Sequence, residues 1–348
     1  MRALTLTATG GFDRLLYRDD LPEPAPPGPG EVLLRVRAAA LNHLDLFVVE
    51  GLPGVTITDG FVVGTDATGV IEAVGPGVDA AHVAPGDTVV VNAGISDRSC
   101  EYCLDGEQPL CPRFRVLGEH VSGLAAERVV LPAVNVRKIP PGIPAGVAAA
   151  HTLAALTAWR MCVSRARVHE GDDVLIWGIG GGVAQAALQV CKRRGARVWV
   201  TSGSDEKLER ARTLGADELL NHRTQDVPAV IRERTGKRGV TVVVDSVGEA
   251  TWERSLKALG RRGRLVTCGG TSGPMLQTDV RRLFWNQWSL LGSTMGNDAE
   301  FEAVTDALAE GWLQPVVDRV VPIEEGRDAY ERLASGDHFG KVVLQVER

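Results

Sequence analysis

The sequence predicts an α/β protein with two domains, one rich in β-strands and one built around a parallel sheet. A strand, a glycine-rich loop, a helix and a second strand follow one another between residues 174 and 202. Strand-like and helical runs alternate from residue 145 to residue 291, as in βαβ units. Short strands separated by Pro/Gly turns fill the first 140 residues. A length of 348 residues also favours two domains.

In the β-rich part, alternating apolar and polar residues predict strands at 1–7, 31–39, 61–63, 68–74, 88–91 and 128–131. An Ala-rich helix is expected over 145–162. Apolar runs then predict strands at 174–177, 197–201, 218–220, 240–245, 264–268 and 288–291. A last strand is predicted at 341–346.

The glycine-rich loop reads GIGGGV and contains Gly178, Gly180, Gly181 and Gly182. Such a loop lets the backbone approach a pyrophosphate, and the following helix, expected to stop at Gly195, offers N–H groups at its start. A strict G-x-G-x-x-G pattern would have its third glycine where this chain has Val183, flanked by two small residues. The alternative is a glycine-rich turn in an ordinary α/β domain.

The residues after the second strand bear on which dinucleotide is bound. An Asp or Glu about 20 residues past the glycines usually holds the ribose 2′-OH of NAD. Here Ser202 occupies that place, followed by Ser204 and Lys207. Two hydroxyls and an ammonium can bind a 2′-phosphate, and no carboxylate repels it. The sequence therefore predicts NADP(H), although the two serines can also cap a helix that starts near Asp205.

Composition narrows the class of protein and of partner. A hydrophobic content of 44% allows sizeable cores, and a net charge of −6 argues against nucleic acid as the main partner. No apolar run is long enough for a membrane span, and the N-terminus lacks a signal-peptide core. Of six cysteines, three cluster in a loop and three lie in apolar segments. This distribution predicts a cytoplasmic protein with a metal-type cluster, no disulfide framework and no membrane partner.

Segments spread over nearly the whole chain resemble the medium-chain dehydrogenase/reductase superfamily, in particular its zinc-binding alcohol dehydrogenase and quinone oxidoreductase branches. They are AAALNHLDLFVVEG (38–51), GTDATGVIEAVGPGV (64–78), PGDTVVV (85–91), the Cys loop (97–111), the Gly-rich unit, LGADELLN (214–221), VVVDSVG (242–248), GRLVTCGGTSG (263–273), LLGSTMG (290–296) and FGKVVLQ (339–345). The resemblance implies a GroES-like β-rich catalytic domain at 1–154 and 293–348. It also implies a Rossmann NADP-binding domain, a doubly wound parallel sheet, at 155–292.

The resemblance locates three positions at which zinc-dependent members hold a catalytic metal through Cys, His and Cys. In this chain they are Asn42, Thr65 and Leu153. None of the three is a thiolate or an imidazole, so the sequence predicts no catalytic zinc. Only the neighbouring His43 and Asp66 are left as ligand candidates, and His43 is expected to pack or to form a hydrogen bond.

Without a Lewis acid to hold an alkoxide, the chemistry expected is reduction of acceptors that already take hydride: quinones, enones and similar small molecules. The protein then supplies orientation and donors for the developing oxyanion. Asn42 is the first candidate donor, Asp45 orients it or bonds the nicotinamide ribose, and Thr65 lines the pocket. His120 is a candidate proton donor because imidazole titrates near neutral pH.

Several alternatives stay open. Asp45 can be a turn or cap residue, and His120 can be a loop histidine. The protein can instead be a dehydrogenase of alcohols or carbonyls, or an NADPH-binding protein with little catalysis.

A second metal site is predicted in the loop Cys100-x2-Cys103-x7-Cys111. The resemblance implies a structural zinc held by four cysteines spaced x2, x2 and x7, which puts Asp97 in the first place. Zinc accepts a carboxylate oxygen, so a closed site of three thiolates and Asp97 is chemically reasonable. The alternative is a loop held by packing alone.

The resemblance also implies cofactor contacts beyond the glycine-rich loop, with strand ends and turns as the alternative roles. The residues are Thr157, Arg223 at the adenosine end, Asp245, Val247, and Cys268, Gly269 and Gly270 beside the nicotinamide carboxamide. The apolar run at 288–291 is expected to form a sheet edge that relatives pair across a two-fold axis, so a homodimer or homotetramer is predicted.

Overall fold

The computed structural model describes residues 1–347, which form two compact units. The first contains residues 1–154 and the C-terminal residues from 297 onward, and the second contains residues 155–296. The family resemblance implied the β-rich domain at 1–154 and 293–348 and the parallel-sheet domain at 155–292. The predicted fold class, a β-rich unit with a parallel α/β unit, is confirmed.

The N-terminal part of the first unit is mostly short strands. In chain order its elements are β1 (Ala3–Leu6), β2 (Leu15–Arg18), β3 (Glu31–Ala40), α1 (His43–Glu50), β4 (Phe61–Val62), β5 (Asp66–Val74), β6 (Thr88–Val91), β7 (Gly94–Ile95), α2 (Glu101–Leu104), β8 (Arg115–Val116), β9 (Arg128–Pro132), β10 (Val136–Lys138) and α3 (Ala145–Ala149). Three-residue 3₁₀ turns lie at 12–14, 108–110 and 133–135.

Helix α4 (Thr152–Trp159) leads into the second unit and continues as a π-helical turn at Arg160–Arg165. The elements that follow are β11 (Asp173–Ile176), α5 (Gly182–Arg193), β12 (Arg197–Ser202), α6 (Asp205–Thr213), β13 (Glu218–Asn221), α7 (Val227–Arg234), β14 (Val240–Asp245), α8 (Glu249–Ala258), β15 (Leu259–Thr267), α9 (Val280–Asn286) and β16 (Ser289–Gly292). Every strand pair is parallel, and the order β13-β12-β11-β14-β15-β16 is that of a doubly wound dinucleotide-binding sheet.

The first unit is completed by α10 (Asp298–Ala309), β17 (Val317–Pro322), α11 (Gly326–Ala334) and β18 (Lys341–Gln345). Its main sheet has the order β10-β6-β5-β3-β18-β17, with β9 also paired to β3. In the antiparallel registers, Ala40 on β3 lies opposite Asp66 on β5 and opposite Val343 on β18. The carboxyl end of β3 therefore lies between the first residues of β5 and of β18.

Two features differ from the sequence prediction. Helix α1 follows β3 directly in a region predicted to be strands and turns, because Asn42 caps it and Asp45 closes its first turn. The single helix expected over 145–162 is divided into α3, α4 and the π-helical turn. In the described residues, no helix combines the length and the apolar character needed to cross a membrane.

Candidate active site and metal centre

A cluster of buried polar side chains lies where β3, β5 and β18 meet in the first unit. We call it the Asn42 network; its members are Asn42, Asp45, Thr65, Asp66 and Lys341. The antiparallel pairing of β3 with β18 creates this cluster. The backbone N–H of Leu41 donates to Val342 O at 2.9 Å, and this places the adjacent residues Asn42 and Lys341 side by side. Residues 299 positions apart in the chain are thereby placed side by side.

Asn42 is hydrogen-bonded on every side. Its Nδ2 donates to Thr65 Oγ1 at 3.0 Å and to Asp66 Oδ2 at 3.0 Å, and its Oδ1 accepts from the Lys341 ammonium. The amide orientation is fixed, because an ammonium only donates and a carboxylate only accepts. Asn42 lies in the predicted site, but both of its side-chain N–H hydrogens are already directed at protein acceptors.

Asp66 joins the three positions that the sequence aligned with catalytic metal ligands. Its Oδ2 lies 3.1 Å from Lys341 Nζ, and its Oδ1 accepts from the backbone N–H of Leu153 at 2.8 Å, at the start of α4. The structure thus brings Asn42, Thr65 and Leu153 around one carboxylate. The donor chemistry at this place does not fit zinc, because these residues offer an amide, a hydroxyl and an alkyl group.

Asp45 accepts hydrogen bonds from two other members of the network, Asn42 and Thr65. Its Oδ2 accepts from the backbone N–H of Asn42 at 2.6 Å and from Thr65 Oγ1 at 3.2 Å, and the side chain is 1% exposed. Burial raises the pKa of Asp45 to about 7, and the nearby Asp66 charge adds to the rise. These contacts correspond to the orienting or capping role, since the carboxylate has almost no surface for a ribose.

Lys341 is the member of the Asn42 network that the sequence interpretation missed. Its side chain is 4% exposed, and a buried ammonium is costly unless it is paired. The segment FGKVVLQ contributed to the family resemblance, but no role was given to its lysine. The available signal was a single charged residue at the start of an otherwise apolar strand.

His120 does not belong to the Asn42 network in the part of the chain that the structure describes. It is 39% exposed, its Nδ1 accepts from the backbone N–H of Val116 at 3.3 Å, and Glu119 lies 3.7 Å away. His43 is the first residue of α1 and is exposed, with its ring 6.3 Å from that of His338. A role for His120 as proton donor stays a prediction.

The cysteine loop has the geometry of a metal site. One ligand atom from each of Asp97, Cys100, Cys103 and Cys111 lies within 4.8 Å of all the others. The backbone N–H groups of Asp97 and Arg113 both donate to Cys111 Sγ at 3.4 Å, as expected around a metal-bound thiolate. The residues therefore fit a closed, structural zinc site.

Asp97 has two separate functions in this loop. Its Oδ1 accepts from the backbone N–H groups of Ser99 and Cys100, both at 2.9 Å, and so shapes the start of α2. These hydrogen bonds hold the pKa of Asp97 well below its usual range. Its Oδ2 lies 3.7 Å from the Arg113 guanidinium, and the carboxylate faces the three Sγ atoms as a candidate fourth ligand.

In the second unit, the glycine-rich loop is built to receive an anion. Gly181 is the N-cap of α5 and offers no side-chain cap, so the first N–H groups of the helix are free. The buried Gln185 donates from Nε2 to Ile179 O at 3.2 Å and fixes the loop from inside.

Gly178 has φ +69°, and Gly195 ends α5 with φ +79°, as predicted. Val183 lies in the first turn of α5, so no third glycine is needed there. The loop fits a dinucleotide pyrophosphate.

The end of β12 supplies hydroxyls and a guanidinium. Ser202 Oγ accepts from Ser204 N at 3.1 Å, and Ser204 caps α6 by accepting from Lys207 N at 3.4 Å, so the capping role is present. The Arg223 side chain lies over Gly203: its Nε is 2.6 Å from the point where a Cβ would stand. Asp205 is held by Asn221 Nδ2 at 2.7 Å.

Asp245 has a structural role in the described geometry. Its carboxylate is 0% exposed and accepts from Val247 N at 2.8 Å, from Ser255 Oγ at 2.8 Å and from the Thr251 hydroxyl. The side chain thus holds the turn after β14 and is not free for a cofactor. The cofactor roles of Thr157, Val247, Cys268, Gly269 and Gly270 stay predictions; burial raises the pKa of the Cys268 thiol to about 12.

Comparison with known proteins places this geometry in context. Residues 28–141 match the alcohol dehydrogenase GroES-like domain, and residues 182–310 match the zinc-binding dehydrogenase domain. A zinc-type alcohol dehydrogenase-like protein of Schizosaccharomyces pombe is 32% identical over 97% of this chain and 96% of its own. An acryloyl-coenzyme A reductase of Metallosphaera sedula is 31% identical over 91% and 93%. The crystal structure of an NAD-dependent alcohol dehydrogenase superimposes with a TM-score of 0.94 at 44% identity, covering both chains completely.

The cysteine loop leads to a prediction about metal content. We expect about one zinc ion per chain, and an Asp97→Asn substitution should weaken zinc binding about tenfold or more, because it keeps the Oδ1 turn contacts but removes the anionic ligand. Zinc retention would be measured by elemental analysis after dialysis against graded chelator, with Asp105→Asn in the same region as the matched control. Less than a tenth of an equivalent in freshly purified wild-type protein would contradict the assignment.

Proposed function

The chain belongs to the medium-chain dehydrogenase/reductase superfamily, and from this premise we propose that it is an NADP(H)-dependent oxidoreductase acting on activated C=C bonds. Bound NADPH would supply a hydride, and the acceptor would be an enone, a quinone or an unsaturated thioester. No catalytic zinc takes part in the proposed reaction.

The observation that carries this proposal is the composition of the Asn42 network. The positions that resemble metal ligands are Asn42, Thr65 and Leu153, and an ammonium lies beside Asn42 and Asp66. A divalent cation at this place would have no thiolate or imidazole and would be repelled by Lys341. Oxidation of a simple alcohol needs a group that stabilises an alkoxide, whereas an activated C=C bond accepts hydride with hydrogen-bond donors alone.

A second candidate is a dehydrogenase of alcohols or carbonyl compounds. It is favoured by the names of the relatives, among them the 32% identical alcohol dehydrogenase-like protein of S. pombe. The first candidate is favoured by the site chemistry and by the 31% identical relative that is named an acryloyl-coenzyme A reductase. A third possibility, an NADPH-binding protein with little catalysis, corresponds to the absence of turnover with any acceptor.

The preference for NADP(H) rests on the end of β12. Ser202 is 6% exposed, no carboxylate occupies its place, and the Arg223 guanidinium lies over Gly203. A guanidinium and two hydroxyls suit a 2′-phosphate. The nearby Asp205 carboxylate accepts a hydrogen bond from Asn221. One solved relative is named an NAD-dependent alcohol dehydrogenase, so the binding of both dinucleotides is the test of this preference.

We expect a cytoplasmic location, because the three clustered cysteines would stay reduced there and available to zinc.

For the function itself, the measurement is NADPH oxidation with an enone, a quinone, an unsaturated thioester and an aldehyde, each before and after brief chelator treatment. We expect turnover of at least one activated C=C acceptor or quinone that is unaffected by the chelator, since no metal would contact the substrate. Aldehyde reduction that is lost on chelation would show instead that a metal acts in catalysis.

For the cofactor, Ser202→Asp should raise the dissociation constant of NADPH about tenfold or more, because a carboxylate repels the 2′-phosphate. Arg223→Ala should weaken NADPH binding by a similar factor and leave NADH binding nearly unchanged. Fluorescence titration of both dinucleotides would measure this, with Arg212→Ala on α6 as the control. Equal affinities of the wild-type protein for NADH and NADPH would refute the preference.

For assembly, we propose a homodimer formed through the edge of the parallel sheet. Strand β16 is the last strand of that sheet, and α9 beside it exposes Val280, Phe284 and Trp285 at 64%, 63% and 75%. Phe284→Glu with Trp285→Glu should convert the dimer to a monomer in light-scattering measurements, whereas Val134→Glu in the other unit should not. A wild-type monomer, or a dimer that tolerates both changes, would contradict this interface.

A further inference from the structure

The hydrogen-bond donors of the Asn42 network can be counted one by one. Both Nδ2 hydrogens of Asn42 go to Thr65 and Asp66, and the Thr65 hydroxyl goes to Asp45 Oδ2. The backbone N–H groups of Asn42 and Leu153 go to Asp45 and Asp66.

An ammonium has three hydrogens, and the structure shows two acceptors for Lys341, Asn42 Oδ1 and Asp66 Oδ2. Among the side chains of the network in the described residues, one donor hydrogen is therefore left, and it lies on Lys341.

The exposed surface of the network points to the same residue. Thr65 and Asp66 are 0% exposed and Asp45 is 1% exposed, whereas Asn42 and Lys341 retain 8% and 4%. Within the network, the residues with surface left for a molecule that approaches from outside are therefore mainly Asn42 and Lys341. Of these two, only the ammonium has a hydrogen to give without breaking an existing contact.

The position of the ammonium also determines the charge of the site. Among the residues that the structure describes, Lys341 is the cation in direct contact with Asp66. Its Nζ lies within hydrogen-bond distance of Asn42, the residue at one of the positions that resemble metal ligands. The adjacent polypeptide permits this approach because Gly340 has φ +111°, and a side chain there would collide with the Val316 carbonyl oxygen. The positive charge at this site is therefore that of the Lys341 side chain.

We propose that Lys341 is a catalytic residue that stabilises the substrate oxyanion in place of a metal ion, with Asn42 and Asp66 holding its ammonium in position. This role rests on the proposed reduction of activated C=C bonds. Bound NADPH would supply the hydride that adds to the β-carbon of the acceptor, and the C=C electron pair would move so that the carbonyl oxygen becomes an enolate oxygen. The free N–H of Lys341 donates to that oxygen, and a solvent proton then adds to the α-carbon.

The test compares the wild-type protein with the double variant Lys341→Met/Asp66→Asn. Removal of Lys341 alone would leave Asp66 buried and unpaired, whereas the double variant removes both charges. Lys138→Met, an exposed lysine of the same unit, is the matched control with unchanged activity expected. Folding is checked by thermal unfolding, and NADPH affinity by fluorescence titration.

We expect kcat for an enone to fall about 100-fold or more from the wild-type protein to the double variant, as when an oxyanion donor is removed. The loss with a strongly electron-accepting quinone should be much smaller, because less charge develops on one oxygen in its transition state. NADPH affinity should change less than twofold. If the double variant does not fold, Lys341→Arg keeps the charge but changes the geometry, and the same larger loss for the enone is expected.

Equal losses with enone and quinone would mean that Lys341 acts only on structure, and this would overturn the proposal. A loss confined to NADPH affinity, with normal kcat at saturation, would assign Lys341 to the cofactor and overturn it as well. If wild-type protein reduces no activated acceptor, the proposed function fails and the role of Lys341 fails with it. If wild-type and double variant are equally active, only the role of Lys341 fails.

Discussion

The buried ion pair between Lys341 and Asp66 is the contact on which the rest of the site depends. Both side chains are nearly inaccessible, and neither charge would be tolerated there alone. Asp66 also binds the N-terminus of α4 through Leu153, and Lys341 fixes the Asn42 amide. One ion pair thus connects the end of β3, the start of β5, the start of β18 and a helix terminus. Burial raises the pKa of Asp66, and the Lys341 charge opposes this rise.

The two metal positions of the family differ in this chain in how many ligand residues they contain. The loop at 97–111 keeps three thiolates and replaces the fourth ligand by Asp97, whose other oxygen shapes the loop. The catalytic position has lost all its thiolate and imidazole ligands and contains an amide, a hydroxyl and an ammonium. A structural metal needs only a closed ligand set, whereas a catalytic metal must also suit the reaction. The chain is therefore compatible with a zinc-stabilised fold and a zinc-free reaction centre.

The sequence predicted local features well and distant contacts poorly. The glycine-rich loop, the parallel sheet and the cysteine loop each depend on residues close together in the chain, so spacing was enough to predict them. Asn42, Thr65 and Leu153 were brought together by the family resemblance, and the structure places them around Asp66. Lys341 was missed because its partner Asn42 lies 299 residues away, and only sheet register shows the contact. The saturation of the Asn42 amide and the internal role of Asp245 likewise require coordinates, because both depend on which hydrogens already have acceptors.

The role proposed for Lys341 requires that an ammonium, and not a metal ion, lies beside Asn42 and Asp66 in the first unit. The most direct test is a crystal structure with anomalous diffraction recorded on both sides of the zinc absorption edge, from crystals soaked in zinc. We expect one anomalous peak, among Asp97, Cys100, Cys103 and Cys111, and Lys341 in contact with Asn42 and Asp66. A second peak beside Asn42 and Thr65, with Lys341 displaced, would contradict it.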